Sequence, residues 1–295
     1  MFHTRKASAV IALGCVMAGV TVAGCDDSDD DAALFGKSHQ QAPINGTKKI
    51  KVDGYSVNVS CSGHPSDERP LIMLMAGHGD GLTKLAKIQK RLGKKDRVCS
   101  YDRLGEGASD KPHGPQTYAD SGKILTGVLD RVAGDHPVVL AGHSMGGAVA
   151  ARYAPAHRER VKGLVLIDAT PPTTVADTTK LIPKKAKGVA GQVRAQMVAV
   201  SHARNKEMLK ATDSKVRSAG NIPVEILRHG KKYLAAVPKY GPTLERIWTS
   251  GQRKWLALSP HSHLTVAEKS THYIYVDQPG LTVQKIRQVA KKAEI

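Results

Sequence analysis

The sequence of 295 residues predicts an α/β protein, a mostly parallel sheet of about eight strands flanked by helices, with a helical insertion over one edge. Two observations lead there. Strand-like and helix-like runs alternate along most of the chain, and such alternation builds a parallel sheet with right-handed crossovers. At its centre the apolar run Val138-Val139-Leu140 enters Ala141-Gly142-His143-Ser144-Met145-Gly146-Gly147, and 148–153 continues as a helix. A serine at Gly-x-Ser-x-Gly spacing, entered from a strand and left by a helix, is the pattern of a nucleophile elbow. The turn strains the serine backbone, and glycines on either side let strand and helix approach closely. A plain tight turn is the alternative for such a pentapeptide, and the strand-to-helix setting favours the elbow.

Taken in order, residues 48–54 and 55–61 alternate apolar and polar side chains around Asp53-Gly54, a hairpin signal that makes them the first two, antiparallel, strands. Residues 70–77 are continuously apolar, as a strand covered on both faces requires, and end in Gly77-His78-Gly79-Asp80-Gly81 before a helix over Leu82–Leu92. A strand at Val98–Tyr101 follows, then a helix over 118–132 with Ile124, Leu125, Val128, Leu129 and Val132 on one face. The elbow helix runs to about residue 157, and Val161–Ile167 forms the next strand. Segment 173–220 breaks the rhythm with ten basic residues against three acidic ones and an expected helix over 189–211. Inserted between strands at the carboxyl edge of the sheet, it would cap the site. Alternation resumes with a strand at 222–227, a helix near 243–258, a strand at 264–267 and a closing helix over Pro279–Lys292.

From about residue 50 onward the chain resembles the α/β-hydrolase superfamily, and within it an esterase and aminopeptidase-like branch. Four motifs in order carry the resemblance: Tyr101-Asp102-Arg103-x-Gly105-x-Gly107-x-Ser109, the Gly142 to Gly147 elbow, Gly163-Leu-Val-Leu-Ile-Asp168, and Ser270-Thr271-His272-Tyr273 with its continuation to Pro279. The resemblance implies the α/β-hydrolase fold with a helical cap. In the usual strand order of that fold the strands holding Cys61 and Cys99 are neighbours, so a disulfide and two buried thiols are both open readings.

Acyl transfer by a hydroxyl nucleophile needs a base, an acid that orients the base, and donors for the oxyanion. Ser144 is the expected nucleophile. His272, in a loop after the last strand, is the expected base, in the chain order Ser, acid, His known for this fold. His143 reads as packed support for the turn. The oxyanion donors are expected to be the backbone N–H groups of Met145 and His78. Many relatives carry their acid just after the strand that here ends Leu227-Arg228-His229-Gly230, but Lys231-Lys232-Tyr233 follow, and no carboxylate lies between Glu225 and Glu245. Some relatives place it at the end of the preceding strand, where Asp168 stands. Asp168 is therefore the expected acid, with a turn-capping role before Pro171-Pro172 as its other reading. Asp102 is expected to hold the Arg103 loop.

Residues 1–24 read as a targeting segment. Arg5 and Lys6 precede an apolar run with small residues that closes on Cys25, which resembles a bacterial lipoprotein signal with Cys25 as the lipidated residue. An acidic, polar tether over 25–47 follows, and the hydrolase domain is expected over 48–295 with its cap at about 173–220. The net charge of +18 suits anionic surfaces but reads first as a solvated basic surface, and only two Phe and two Trp and the lack of a nucleic-acid-binding motif speak against nucleic acid. His261 and His263 share a strand face without a ligand set, so no metal is expected. The sequence thus points to an exported or membrane-anchored serine hydrolase that cleaves small-molecule carboxylic esters without a cofactor. A proline-iminopeptidase-like peptidase would use the same triad but needs an acidic recess, which the basic cap disfavours. A catalytically silent binding module is the non-enzymatic alternative. Epoxide hydrolase and dehalogenase chemistry is disfavoured, because those relatives carry Asp where Ser144 stands.

Overall fold

The computed structural model describes residues 42–202 and 209–294. The expected signal peptide, Cys25 and most of the tether lie outside the described residues. Ile44 is buried, Arg97 binds its carbonyl and the Asn45 side chain, and the first strand begins at Gly46.

In chain order the strands are β1 (Gly46–Val52), β2 (Tyr55–Ser62), β3 (Leu71–Met75), β4 (Val98–Tyr101), β5 (Val138–His143), β6 (Val161–Ile167), β7 (Val224–His229) and β8 (Ser262–Ala267). The helices are α1 (Leu82–Leu92), α2 (Tyr118–Ala133), α3 (Met145–Tyr153), α4 (Thr174–Leu181), α5 (Gly188–His202), α6 (Gly241–Lys254), α7 (Ile274–Asp277) and α8 (Pro279–Lys292). The strands form one sheet of eight in the order β1-β2-β4-β3-β5-β6-β7-β8. β1 pairs with β2, and β2 with β4, in antiparallel fashion. All remaining pairs are parallel. The β1–β2 turn puts Asp53 and Gly54 at φ of 48° and 80°, the left-handed pair a two-residue hairpin demands.

The central strands explain the continuous apolar runs. Successive side chains point to opposite faces, and both faces are covered. Met73 and Met75, Leu164 and Leu166 join α2 and α3 in one cluster, while Ile72, Leu74, Val165 and Ile167 join α1 and α8 in another. The α2 start is fixed by a reciprocal cap between Thr117 and Asp120, and its buried face is the expected Ile124, Leu125, Val128 and Leu129. Cys61 and Cys99 lie directly opposite each other on β2 and β4 and form a disulfide.

The cap differs from expectation. The helix expected over 189–211 ends in the described residues at His202, and Leu209 makes a parallel bridge to Gln116. Ala211 is not helical; its N–H reaches the Val200 carbonyl, and Leu209 and Ala211 bury their side chains against the main core. Burial of that apolar pair against the domain wins over helix propensity. α4 was not foreseen: it follows Pro171-Pro172, and its exposed N–H groups at Val175 and Ala176 are taken by the Asp213 carboxylate from the returning chain. Among the described residues no helix is long and apolar enough to cross a membrane.

The disulfide joins positions 38 residues apart. Opening it is expected to lower the free energy of unfolding by about 2–4 kcal/mol, through the entropy returned to the unfolded chain. Guanidinium unfolding of the oxidised and reduced protein measures this, and coincident midpoints would contradict it.

Candidate active site

The site lies at the carboxyl ends of the parallel strands, where the backbone leaves the sheet and side chains can converge. β5 delivers Ser144, β6 Asp168, β7 His229, and the loop after β8 His272. Ser144 sits between β5 and α3 with φ 50° and ψ −117°, a strained conformation for a residue with a Cβ. Its neighbours explain the glycines. A Cβ on Gly142 would fall 2.5 Å from the Gly146 backbone, and one on Gly146 would fall 2.5 Å from the Ala76 and Met75 carbonyl oxygens. The Ser144 N–H donates to Ile167, and its carbonyl accepts from Ala148 and Thr170, so strand, helix and the β6 loop all hold the turn.

Asp168 is fully buried at φ 45°. Its Oδ2 lies 2.7 Å from His272 Nδ1. That contact fixes Nδ1 as the protonated nitrogen of a neutral imidazole and leaves Nε2 as the basic one. Ser144 Oγ rests 3.5 Å from Thr170 Oγ1, and no hydrogen bond joins it to His272 among the described residues. The structure therefore brings Asp168 and His272 into direct contact and sets the serine on the adjoining turn. His272 is tied to that turn through its backbone: its carbonyl bonds His143 Nε2 at 3.0 Å, and the two rings lie 4.5 Å apart.

His143 packs as expected, with its ring among His272, Tyr273 and Tyr275. Burial pushes its pKa down to about 3, so it stays neutral. Asp102 is structural, accepting from the N–H groups of Leu82 and Ala108 and from the Asn58 amide.

Met145 opens α3, so its N–H has no acceptor within the helix. The His78 N–H belongs to the same peptide plane as the Gly77 carbonyl, and Arg103 Nη2 holds that carbonyl at 2.7 Å. Because the peptide is planar, fixing its carbonyl aims its N–H. Arg103 also binds the Ala76 carbonyl and Glu106, and Glu106 receives the Gly79 N–H at 3.0 Å. Burial alone would raise the Glu106 carboxyl; the Arg103 charge and bonds from His78 and Gly79 hold it below its ordinary value. The Tyr-Asp-Arg-x-Gly-x-Gly motif is thus the brace of the loop after β3.

A family model described as alpha/beta hydrolase fold matches residues 70–206. Two solved structures superpose well: an enol-lactonase from Burkholderia xenovorans (TM-score 0.59, 17% identity, 83% of this chain and all of that one) and the carboxylesterase CesB from Bacillus subtilis (0.59, 16%, 85% and 93%). The chain has the α/β-hydrolase fold, and its residues 70–206 match the model of that family. In sequence it is 24% identical over 210 residues to the uncharacterized protein YqjL of Bacillus subtilis, spanning 71% of this chain and 79% of that protein.

Sequence reasoning missed three residues of this site. His229, buried at the end of β7, places Nδ1 at 2.9 Å from Asp168 Oδ2 and Nε2 at 3.0 Å from Glu245 Oε2. Trp248 Nε1 donates to Asp168 Oδ1 at 3.0 Å. Glu245 and Trp248 share α6, one turn apart on its inner face. The spacing of two residue types on one helix was the only available signal, and it pointed to no partner. His263 reaches Glu225 across the sheet, but Thr265 and Lys285 also bind that carboxylate, so the pair is an ionic brace at the sheet edge.

Burial works to raise the Asp168 carboxyl, but hydrogen bonds from His229 and His272 hold it down at about 2. Below its ordinary 6.5 the unfolded chain takes up a proton at His143 that the folded chain refuses down to about 3, so stability falls with pH across that window. Asp168 adds a further loss between its ordinary 3.8 and about 2. Thermal unfolding scans should show a falling midpoint from near pH 6.5 downward, flattened between pH 6 and 4 in His143→Gln. Equal slopes in the two proteins would contradict this account.

Proposed function

We propose that this α/β-hydrolase cleaves carboxylic esters through Ser144, His272 and Asp168, by way of an acyl-enzyme and without a cofactor. The observation that carries the reading is the 2.7 Å contact between a buried carboxylate and His272 Nδ1, next to a serine held in a strained strand-to-helix turn. With Nδ1 engaged, His272 Nε2 takes the Ser144 proton as Oγ attacks the ester carbonyl carbon. The bond between Ser144 and His272 is one that commonly forms or tightens only once substrate is bound. The N–H groups of Met145 and His78 stabilise the oxyanion. His272 then protonates the leaving alcohol, and the same imidazole activates water to hydrolyse the acyl-enzyme, which returns the proton to Ser144.

The enol-lactonase and the carboxylesterase with the same fold support an ester-type bond as the target. A basic cap, with exposed Lys184, Lys185 and Lys187 beside α5, favours neutral or anionic substrates over cationic ones. Export with Cys25 as a lipid anchor belongs to the same proposal. The Cys61–Cys99 disulfide supports it, because such bonds persist in oxidising compartments.

Hydrolysis of p-nitrophenyl esters of increasing chain length tests the reading. Turnover should vanish in Ser144→Ala and fall on the order of 10⁴-fold in Asp168→Asn, which keeps the shape but offers the wrong hydrogen-bond pattern. Near-normal turnover in Asp168→Asn would remove that residue from the triad, and full activity in Ser144→Ala would overturn the mechanism.

A further inference from the structure

The triad acid is the near end of a longer buried chain. Asp168 touches His272 on one side and His229 on the other, and His229 in turn touches Glu245. The His229 side chain is 2% exposed, that of Asp168 0% and that of Glu245 9%, so water cannot replace these partners. Both ring nitrogens of His229 face a carboxylate oxygen at hydrogen-bond distance, and each contact needs a proton between its atoms.

Where those protons reside follows from the other bonds. Asp168 also accepts the His229 backbone N–H, the Trp248 indole N–H and His272 Nδ1. The backbone and indole N–H groups can only donate, and a carboxyl held down at about 2 is ionised, so the two imidazole nitrogens beside it are its donors as well. The Glu245 Oε1 atom likewise accepts the N–H groups of Leu234 and Ala235. Tyr233, with its ring 4.8 Å from that of His229, also faces this cluster, and burial keeps its phenol protonated, while the Arg228 guanidinium binds the His229 carbonyl at 2.9 Å. An uncompensated pair of buried carboxylates would be far more costly than a cation set between them.

We propose that His229 is a doubly protonated positioning residue, a buried imidazolium that joins Glu245 to Asp168 and keeps the triad acid ionised and aimed at His272. The proposal rests on the Ser144, His272 and Asp168 reading for its kinetic consequence, though not for the charge state itself. The Glu245, His229 and Asp168 cluster then carries a net single negative charge, and α6 becomes part of the machinery through Glu245 and Trp248. His229 occupies the end of β7, the region where the sequence resemblance led one to look for the acid itself, and supplies the acid's counter-charge from there.

The sign of the effect on catalysis can be worked out. In His229→Gln the cation is lost and two carboxylates face each other across a neutral amide, so the extra negative charge favours the protonated form of His272. The acid limb of the kcat/KM profile should move to higher pH, and kcat should drop on the order of a hundredfold with KM near that of the parent, as expected when a catalytic group is misaimed. Adding Glu245→Gln restores the single negative charge, so His229→Gln/Glu245→Gln should recover part of kcat and return the limb toward its original position. A role limited to packing would leave the limb in place and give the double variant no recovery.

The experiment has two arms on the full-length protein. Proton–nitrogen NMR with labelled histidine, assigned by the resonances lost in His229→Gln, should show both ring N–H groups of His229 protonated at pH 7. A single protonated nitrogen there would overturn the proposal. In the kinetic arm, an unmoved acid limb in a folded His229→Gln, or a double variant no better than the single one, would overturn the positioning role. Should the parent protein turn over no ester, the function proposed above fails, while the NMR arm still decides the charge state of His229.

Discussion

A carboxylate with no access to water has to be satisfied wholly by the protein, and Asp168 is that group here. It is 0% exposed, and its donors come from β7, α6 and the loop after β8, while its own N–H is tied to Leu227. Each donor is delivered by a different stretch of chain, so the charge can be buried only when those stretches are all in place. The carboxyl end of the sheet is in this sense organised by one anion. Breaking such a network by removing a single partner costs about 3–5 kcal/mol, because the remaining charge is left buried and uncompensated. The same enclosure that makes it expensive makes it useful, since hydrogen bonds in a dry site hold their geometry.

A second brace works on the other side of the nucleophile. Arg103 reaches from the loop after β4 to the carbonyls of Ala76 and Gly77, and Glu106 gathers Arg103, His78 and the Gly79 N–H. The two supports meet at the elbow, where His143 packs beneath Ser144 and bonds the His272 backbone. Ser144, His272 and the loop after β3 are therefore carried by elements that touch one another through buried side chains, as the proposed acyl-transfer site requires.

Most strands could be read from sequence because their physics is local. Val98–Tyr101 and Val161–Ile167 are short apolar runs bounded by polar turns, and α1 and α8 keep an apolar face at helical spacing. Ser144 was legible because the elbow needs its glycines within two residues. Asp168 was reached only through the resemblance and the lack of a competing carboxylate. His229, Trp248 and Glu245 could not be found, since their partner Asp168 is 61, 80 and, through His229, 77 residues away in sequence. α4 and the end of α5 were not legible for a related reason: Asp213 and Leu209, which decide them, act across the cap rather than along it.

The central claim is that Ser144 is a nucleophile activated by a histidine held on a buried aspartate. A fluorophosphonate probe reports this without any assumption about substrate, because it reacts only with a serine whose proton can be taken by an aligned base. Intact-mass measurement followed by peptide mapping should find one adduct, on Ser144, in the unaltered protein and none in His272→Ala. A folded protein that takes no label, or takes it on another serine, would contradict the account.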